Sequence, residues 1–218
     1  MIIVGCSDIH GRTTAVDRMA GVLKFADVVL LVGDVTNFGH EADAMEVVDA
    51  FARHGKRILA VPGNCDFPGV GDFFSSRGIN IHGDCAVVNN IGFVGLGGSL
   101  TTPFGTPGEY SEAELEGFLN RAAGRLPKGL PFVLVSHQPP VNTLCDRLAT
   151  GDHVGSHAVR KFIETHRPMA CFTGHIHESA GMDKIGETPV INPGLFGNGR
   201  YAHGSIIGQN VELTIRKV

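Results

Sequence analysis

The chain has 218 residues, of which 30 are glycine, 43% are hydrophobic and 18% are charged, and its formal charge is −4. That apolar content excludes intrinsic disorder, and the small acidic excess excludes nucleic-acid binding through a broad basic surface. No apolar run reaches the roughly 18–20 residues of a membrane-spanning helix, and Met1 to Asp8 lacks the basic start of a secretory signal.

In chain order, an apolar run at 1–7 predicts a strand, and a helical pattern follows over 13–25. Val28 to Val32 predicts a second strand, 40–54 a helix, and Arg57 to Val61 a third strand stopped by Pro62 and Gly63. Short apolar runs alternating with helical periods indicate βαβ units and a largely parallel, buried sheet. Ala86–Val88 and Phe93–Leu96, parted by Asn89, Asn90 and Gly92, predict a hairpin. Ser99 to Tyr110 is a Thr/Pro/Gly loop, either a specificity loop or a surface excursion. Ser111 with Glu114 three residues on forms a capping box that opens the next helix. Pro131–Val135 predicts a strand, Ser156–His166 a helix and Met169–Phe172 a strand; alternation at Val211, Leu213 and Ile215 makes 202–218 an antiparallel ribbon.

No repeat or linker divides the chain, so 1–218 reads as one domain of two packed sheets with helices outside. The cysteines (Cys6, Cys65, Cys85, Cys145 and Cys171) are odd in number, dispersed and without a CxxC pair. They are expected to be reduced thiols of a cytoplasmic protein, and all but Cys65 to be packing residues.

The residues that carry chemistry follow the buried strands. They lie in Asp8-Ile9-His10-Gly11, Gly33-Asp34, Gly63-Asn64-Cys65-Asp66, Ser136-His137 and Thr173-Gly174-His175-Ile176-His177. Ligands of α/β sheets bind at the carboxyl ends of strands, so these ends are expected to gather Asp8, His10, Asp34, Asn64, His137, His175 and His177 in one place. An extended backbone would point Asp8 and His10 the same way, and likewise His175 and His177. Imidazole mixed with carboxylate and amide oxygen favours borderline or hard divalent ions over a structural zinc knuckle. Seven ligands exceed one tetrahedral site and suit two ions that share a carboxylate.

These five blocks, in this order, resemble those of the calcineurin-like metallophosphoesterases over residues 8–177. The resemblance implies an α/β fold, a four-layer α/β/β/α sandwich of two mixed sheets flanked by helices. It implies one ion on Asp8, His10 and His177, another on Asn64, His137 and His175, and Asp34 bridging them. The implied activity is phosphoester hydrolysis, with a hydroxide bridging the ions attacking phosphorus in line. Two divalent cations are the expected cofactor, manganese first, with iron, zinc, nickel and cobalt as the others.

Asn64 and Cys65 are the catalytic candidates. The family's third block commonly reads Gly-Asn-His-Asp/Glu, its His protonating the leaving oxygen. Here Cys65 holds that position, and Asn37 stands where an Asp often orients the His. A thiol beside two dications is expected to lose its proton, and a thiolate donates none. Weak leaving-group protonation then favours diesters with good leaving groups, as does the likeness of Gly-Asn-Cys-Asp to a bacterial and archaeal branch of broad phosphodiesterases. A phosphomonoesterase, a cyclic-nucleotide phosphodiesterase and a non-catalytic metal-binding scaffold are the alternatives. The long stretch from Gln138 to Ser156 offers Arg147 and His153, together with Asn37, as substrate contacts; otherwise Asp152 and Ser156 merely cap the next helix. The expected partner is a small phosphoester, with no membrane and no strong nucleic-acid binding; a homo-oligomer stays open.

Overall fold

A computed structural model describes residues 1–55 and 57–218. Strands β1 (Ile2–Cys6), β2 (Val28–Val32) and β3 (Ile58–Val61) are parallel neighbours, as fully apolar runs on both faces require. A 3-10 turn (Asp17–Met19) with α1 (Ala20–Phe25), and then α2 (Glu41–Ala52), make the crossovers. After β3 come α3 (Pro68–Ser76), the hairpin β4 (Cys85–Val88) and β5 (Ile91–Leu96), and the short parallel pair β6 (Ser99–Leu100) and β7 (Glu109–Tyr110). Helix α4 (Glu112–Arg125), β8 (Phe132–Ser136), α5 (His157–His166) and β9 (Ala170–Thr173) follow. Two antiparallel hairpins close the chain, β10 (Gly181–Ile185) with β11 (Thr188–Asn192), and β12 (Arg200–Ile207) with β13 (Asn210–Lys217).

The strands form two mixed sheets, ordered β13-β12-β1-β2-β3 and β10-β11-β9-β8-β5-β4. Side-chain alternation along each strand builds the layers. Val29 and Leu31 of β2 face outward onto Leu23, Val47, Phe51 and Phe74 of α1–α3, while Val28, Leu30 and Val32 face inward onto Phe93, Val133 and Phe172 of the other sheet. Leu134 and Cys171 on that sheet's outer face meet Leu115, Leu119, Phe162 and Ile163 of α4 and α5. Three apolar interfaces between four layers give the expected α/β/β/α sandwich. Among the described residues, no helix is long and apolar enough to cross a membrane.

Three segments differ from expectation. The helix of 13–25 is cut to a 3-10 turn and the six residues of α1, with two threonines at its head and Gly21 inside it. Glycine and β-branched residues weaken such a helix. Helix α3 was hidden by Pro68, Gly69 and Gly71, although proline suits a first helical turn. The β10–β11 hairpin went unseen because Met182-Asp183-Lys184 carries little apolar signal on an exposed strand.

Candidate metal centre

The carboxyl ends of five strands bring the candidate ligands together. Asp8 and His10 follow β1, Asp34 follows β2, and Asn64 and Cys65 follow β3, all in one sheet. His137 follows β8, and His175 and His177 follow β9, in the other sheet. The Asp8/His10 and His175/His177 pairs are not presented by extended backbone, which corrects the alternation expected from sequence. Asp8, His10, Asp34 and His175 have φ of 55°, 48°, 47° and 69°, four of nine non-glycine residues in the left-handed region among those described. L-residues seldom occupy that region, and such strain gathers at functional sites. Gly33, at φ 82°, must be glycine twice over, because a methyl group there would collide with the His137 ring.

Two half-sites meet at Asp34. In the first, one ligand atom each from Asp8, His10, Asp34 and His177 lies within 4.8 Å of the others. His10 Nε2 and His177 Nε2 are 3.2 Å apart, His177 Nε2 is 3.2 Å from Asp8 Oδ1, and His10 Nε2 is 3.7 Å from Asp34 Oδ2. In the second, the His137 Nδ1–H donates to the Val32 carbonyl at 2.9 Å, which turns Nε2 toward the site. That nitrogen faces Asn64 Oδ1 at 3.0 Å and Asp34 Oδ1 at 3.4 Å. The amide is fixed in this sense because its Nδ2 donates to Thr106 Oγ1 at 3.0 Å. The His175 ring lies edge-on to His137, centroids 5.2 Å apart. Imidazole nitrogens converging with carboxylate and amide oxygens make a donor set that fits divalent ions in both halves.

Ligand duty needs neutral imidazole and ionised carboxylate; Asp8 and His175 are shifted that way and His177 the other way. Burial, aided by the charge of His137, lowers His175 to about 4. Burial would raise Asp8, but the hydrogen bond from His177 and the charges of His137 and His177 hold it at about 2. His177 is raised mainly by its hydrogen bond to Asp8. Cys65 is buried between these groups, its N–H donating to Asp34 Oδ1 at 2.8 Å. Burial and then the charge of Asp34 push its thiol up, so the protein's own charges oppose the thiolate that the sequence suggests. A thiol held that high is also a poor acid, so a weak proton donor results in either state.

A cleft of about 610 Å³ opens in front of the centre, touching His10, Asp34, Asn64, Cys65, His175 and His177. Asn37 is exposed outside its lining, and Phe38 is the residue that enters it. The loop from Gln138 forms one wall through Leu148 and Val154. Arg147 and His153 lie outside that wall. Arg147 lines a separate depression with Leu144 and Gly181, and His153 Nδ1 is held 2.7 Å from Asp146 Oδ1. Ser156 caps α5, accepting from the Val159 N–H, whereas Asp152 instead accepts from Thr150 Oγ1.

Sequence reasoning passed over Ser7, which donates to Asp8 Oδ2 at 2.5 Å, and Thr106 with Glu109, which orient Asn64. Asp66 Oδ2 accepts from the N–H of Val35 and Gly63 and Oδ1 from the N–H and hydroxyl of Thr36, tying the Asp34 loop to the Asn64 loop. All five cysteines are free.

The sequence model of the calcineurin-like phosphoesterase family matches residues 1–179. An uncharacterized protein of Methanocaldococcus jannaschii, MJ1162, is 42% identical over 197 residues, covering 88% of each chain. The crystal structure of TT1561 of Thermus thermophilus superposes with a TM-score of 0.75 at 19% identity, over 98% of this chain and 97% of that one. The purple acid phosphatase PPD1 of yellow lupin gives 0.62 at 12% identity, over 100% of this chain and 51% of its own. At those identities the two structures share the fold.

Proposed function

The chain belongs to the calcineurin-like phosphoesterase family, whose members are metal-dependent phosphoester hydrolases with a dinuclear divalent centre, and from that premise we propose that it is a phosphodiesterase of small substrates. The observation that carries this reading is the pair of half-sites sharing Asp34, each bringing imidazole nitrogen together with side-chain oxygen. Asp8, His10 and His177 would hold one ion and Asn64, His137 and His175 the other, with one Asp34 oxygen toward each. Bound there, two divalent ions supply Lewis-acid charge to the phosphoryl group and acidify water enough to serve as nucleophile. Mixed nitrogen and oxygen donors suit manganese, with iron, zinc, nickel or cobalt as substitutes.

The chain's own residues set the preference between diester and monoester. Among the described residues no lysine or arginine lines the cleft, whose carboxylates are Asp34 and Glu178. A monoester dianion gains nothing from such walls, whereas a diester monoanion is tolerated. Asn64 ligates through a neutral amide, which adds no repulsion toward phosphate. Cys65 stands where the family's block commonly has the proton-donating His, which favours esters whose leaving group departs unprotonated. We place the protein in the cytoplasm, as one domain over 1–218, where its free thiols stay reduced.

The test is hydrolysis of a bis-aryl against a mono-aryl phosphate by the Mn²⁺-loaded protein. The diester is expected to lead by at least about tenfold in kcat/KM, a difference of ~1.4 kcal/mol in transition-state binding. The reverse order would refute the diester preference. Binding of two ions with no turnover of either ester would favour a scaffold. Cys65→Ala is expected to leave aryl diester hydrolysis within about threefold, and a large loss on alkyl diesters alone would show that the thiol does protonate the leaving group.

A further inference from the structure

The cleft beside the metal centre has polar residues in its walls, and many of their polar groups are already engaged. The Gln138 amide accepts from the Leu100 N–H at 2.9 Å and donates to the Val154 carbonyl at 3.0 Å, pinning the two walls to each other. The hydroxyls of Thr102 and Thr106 both donate to Glu109 Oε1 at 2.6 Å. Glu178 accepts from the Ala149 N–H at 2.7 Å. What remains for a ligand, away from the candidate ligands, is mostly apolar surface from Leu100, Pro103, Leu148 and Val154.

Two phenylalanines complete that surface at a cost to the fold. Phe104, in the loop between β6 and β7, is 84% exposed, and Phe38 is 51% exposed. Phe38 is also held at φ 55°, where a bulky residue is an outlier. Exposed aromatic area and left-handed backbone both work against folding, and such outliers collect where a side chain is kept for a ligand. Both rings line the same cleft as the candidate ligands.

We propose that this cleft selects phosphodiesters whose retained, non-leaving ester group is aromatic, with Phe38 and Phe104 as the specificity-determining residues that contact it. The proposal rests on the phosphodiesterase reading and narrows its substrate class. The occupant is an aromatic ester group because the two rings offer aromatic faces, among the described residues no lysine or arginine lines the cleft, and a cavity of about 610 Å³ admits a ring beside a phosphate.

The test holds the leaving group constant and compares phenyl with methyl 4-nitrophenyl phosphate in the Mn²⁺-loaded wild type, Phe104→Ala, Phe38→Ala and the double variant. Each substitution is expected to lower the phenyl-to-methyl ratio of kcat/KM by about tenfold, through the KM of the phenyl ester. Equal losses on both esters, or an unchanged ratio, would overturn the proposal. Binding of diphenylphosphinate and dimethylphosphinate, whose P–C bonds resist hydrolysis, separates the two readings. If the phosphinates are discriminated in wild type and not in the double variant while no diester is cleaved, the aromatic cleft stands and the hydrolase reading falls. If diesters are cleaved but the phosphinates bind alike, the cleft reading falls alone. A dimer that Phe104→Ala dissociates, with the phosphinate preference unchanged, would assign the ring to a second copy and overturn it as well.

Discussion

An amide presents oxygen at one end and N–H₂ at the other, so Asn64 serves as a ligand only when something decides which end points inward. Thr106 decides it. Its hydroxyl hydrogen is committed to Glu109 Oε1 at 2.6 Å, leaving a lone pair that accepts from Asn64 Nδ2 at 3.0 Å. Glu109 is in turn fixed by Thr102 Oγ1 and the Thr106 N–H. Its slight burial would raise its carboxyl, but the hydrogen bonds from these threonines hold it at about 2, so it remains an acceptor throughout the neutral range. Thr106→Val keeps the shape and removes the acceptor. Partners that orient a metal ligand commonly contribute 10–100-fold to affinity. Calorimetric titration with Mn²⁺ should therefore show one ion weakened by about that factor and the other, on Asp8, His10 and His177, changed far less. Two ions bound as tightly as in wild type would mean that the threonine does not set the amide.

At the scale of elements, the loops after β2 and β3 are held as a unit by one buried carboxylate. Asp66 is 3% exposed and accepts from Thr36 N and Oγ1 and from Gly63 N, each at 2.7 Å, and from Val35 N at 3.1 Å. Asp66→Asn would turn an N–H₂ toward backbone N–H groups. Hydrogen bonds to a buried charge are worth about 1.5–3 kcal/mol, so urea denaturation should show a loss of about 3 kcal/mol. A variant as stable as wild type would show that the loops are held elsewhere. This lock also marks what sequence did not disclose. The candidate ligands were legible because each follows an apolar run, and the strands were legible because β1, β2, β8 and β9 are apolar on both faces. The supporting bonds were not, since Asn64 and Thr106 lie 42 residues apart and Gln138 and Leu100 lie 38 apart. The left-handed turns at Asp8 and His10 leave no composition signal, unlike a glycine. Arg147 and His153 looked free in a long loop, yet Asp146, which also accepts from the Thr143 and Gly155 N–H groups, draws His153 to itself.

At the scale of the molecule, the centre straddles the seam between the sheets. Asp8, His10, Asp34 and Asn64 descend from one sheet and His137, His175 and His177 from the other, so the spacing of the sheets sets the spacing of the ligands. That spacing is tight near the site. A methyl group on Gly5 of β1 would lie 2.8 Å from the Phe172 ring of β9, so the ring packs directly against the β1 backbone. Ions bound at the seam therefore favour the folded state, since the unfolded chain presents no such arrangement. An ion at a hundred times its dissociation constant stabilises by about 2.7 kcal/mol, and two ions by about twice that. For a chain of this length each kcal/mol raises Tm by roughly 2–4 °C. Excess Mn²⁺ should then lift Tm by about 10–20 °C over protein in EDTA, and Asp34→Ala, which touches both half-sites, should abolish most of the difference. Gly5→Val, which forces Phe172 and β1 apart, should lower Tm in EDTA and also shrink the manganese increment, because the ligands of the two sheets no longer meet at the same distance. Equal melting in Mn²⁺ and EDTA would mean that the seven side chains do not close on ions across the seam.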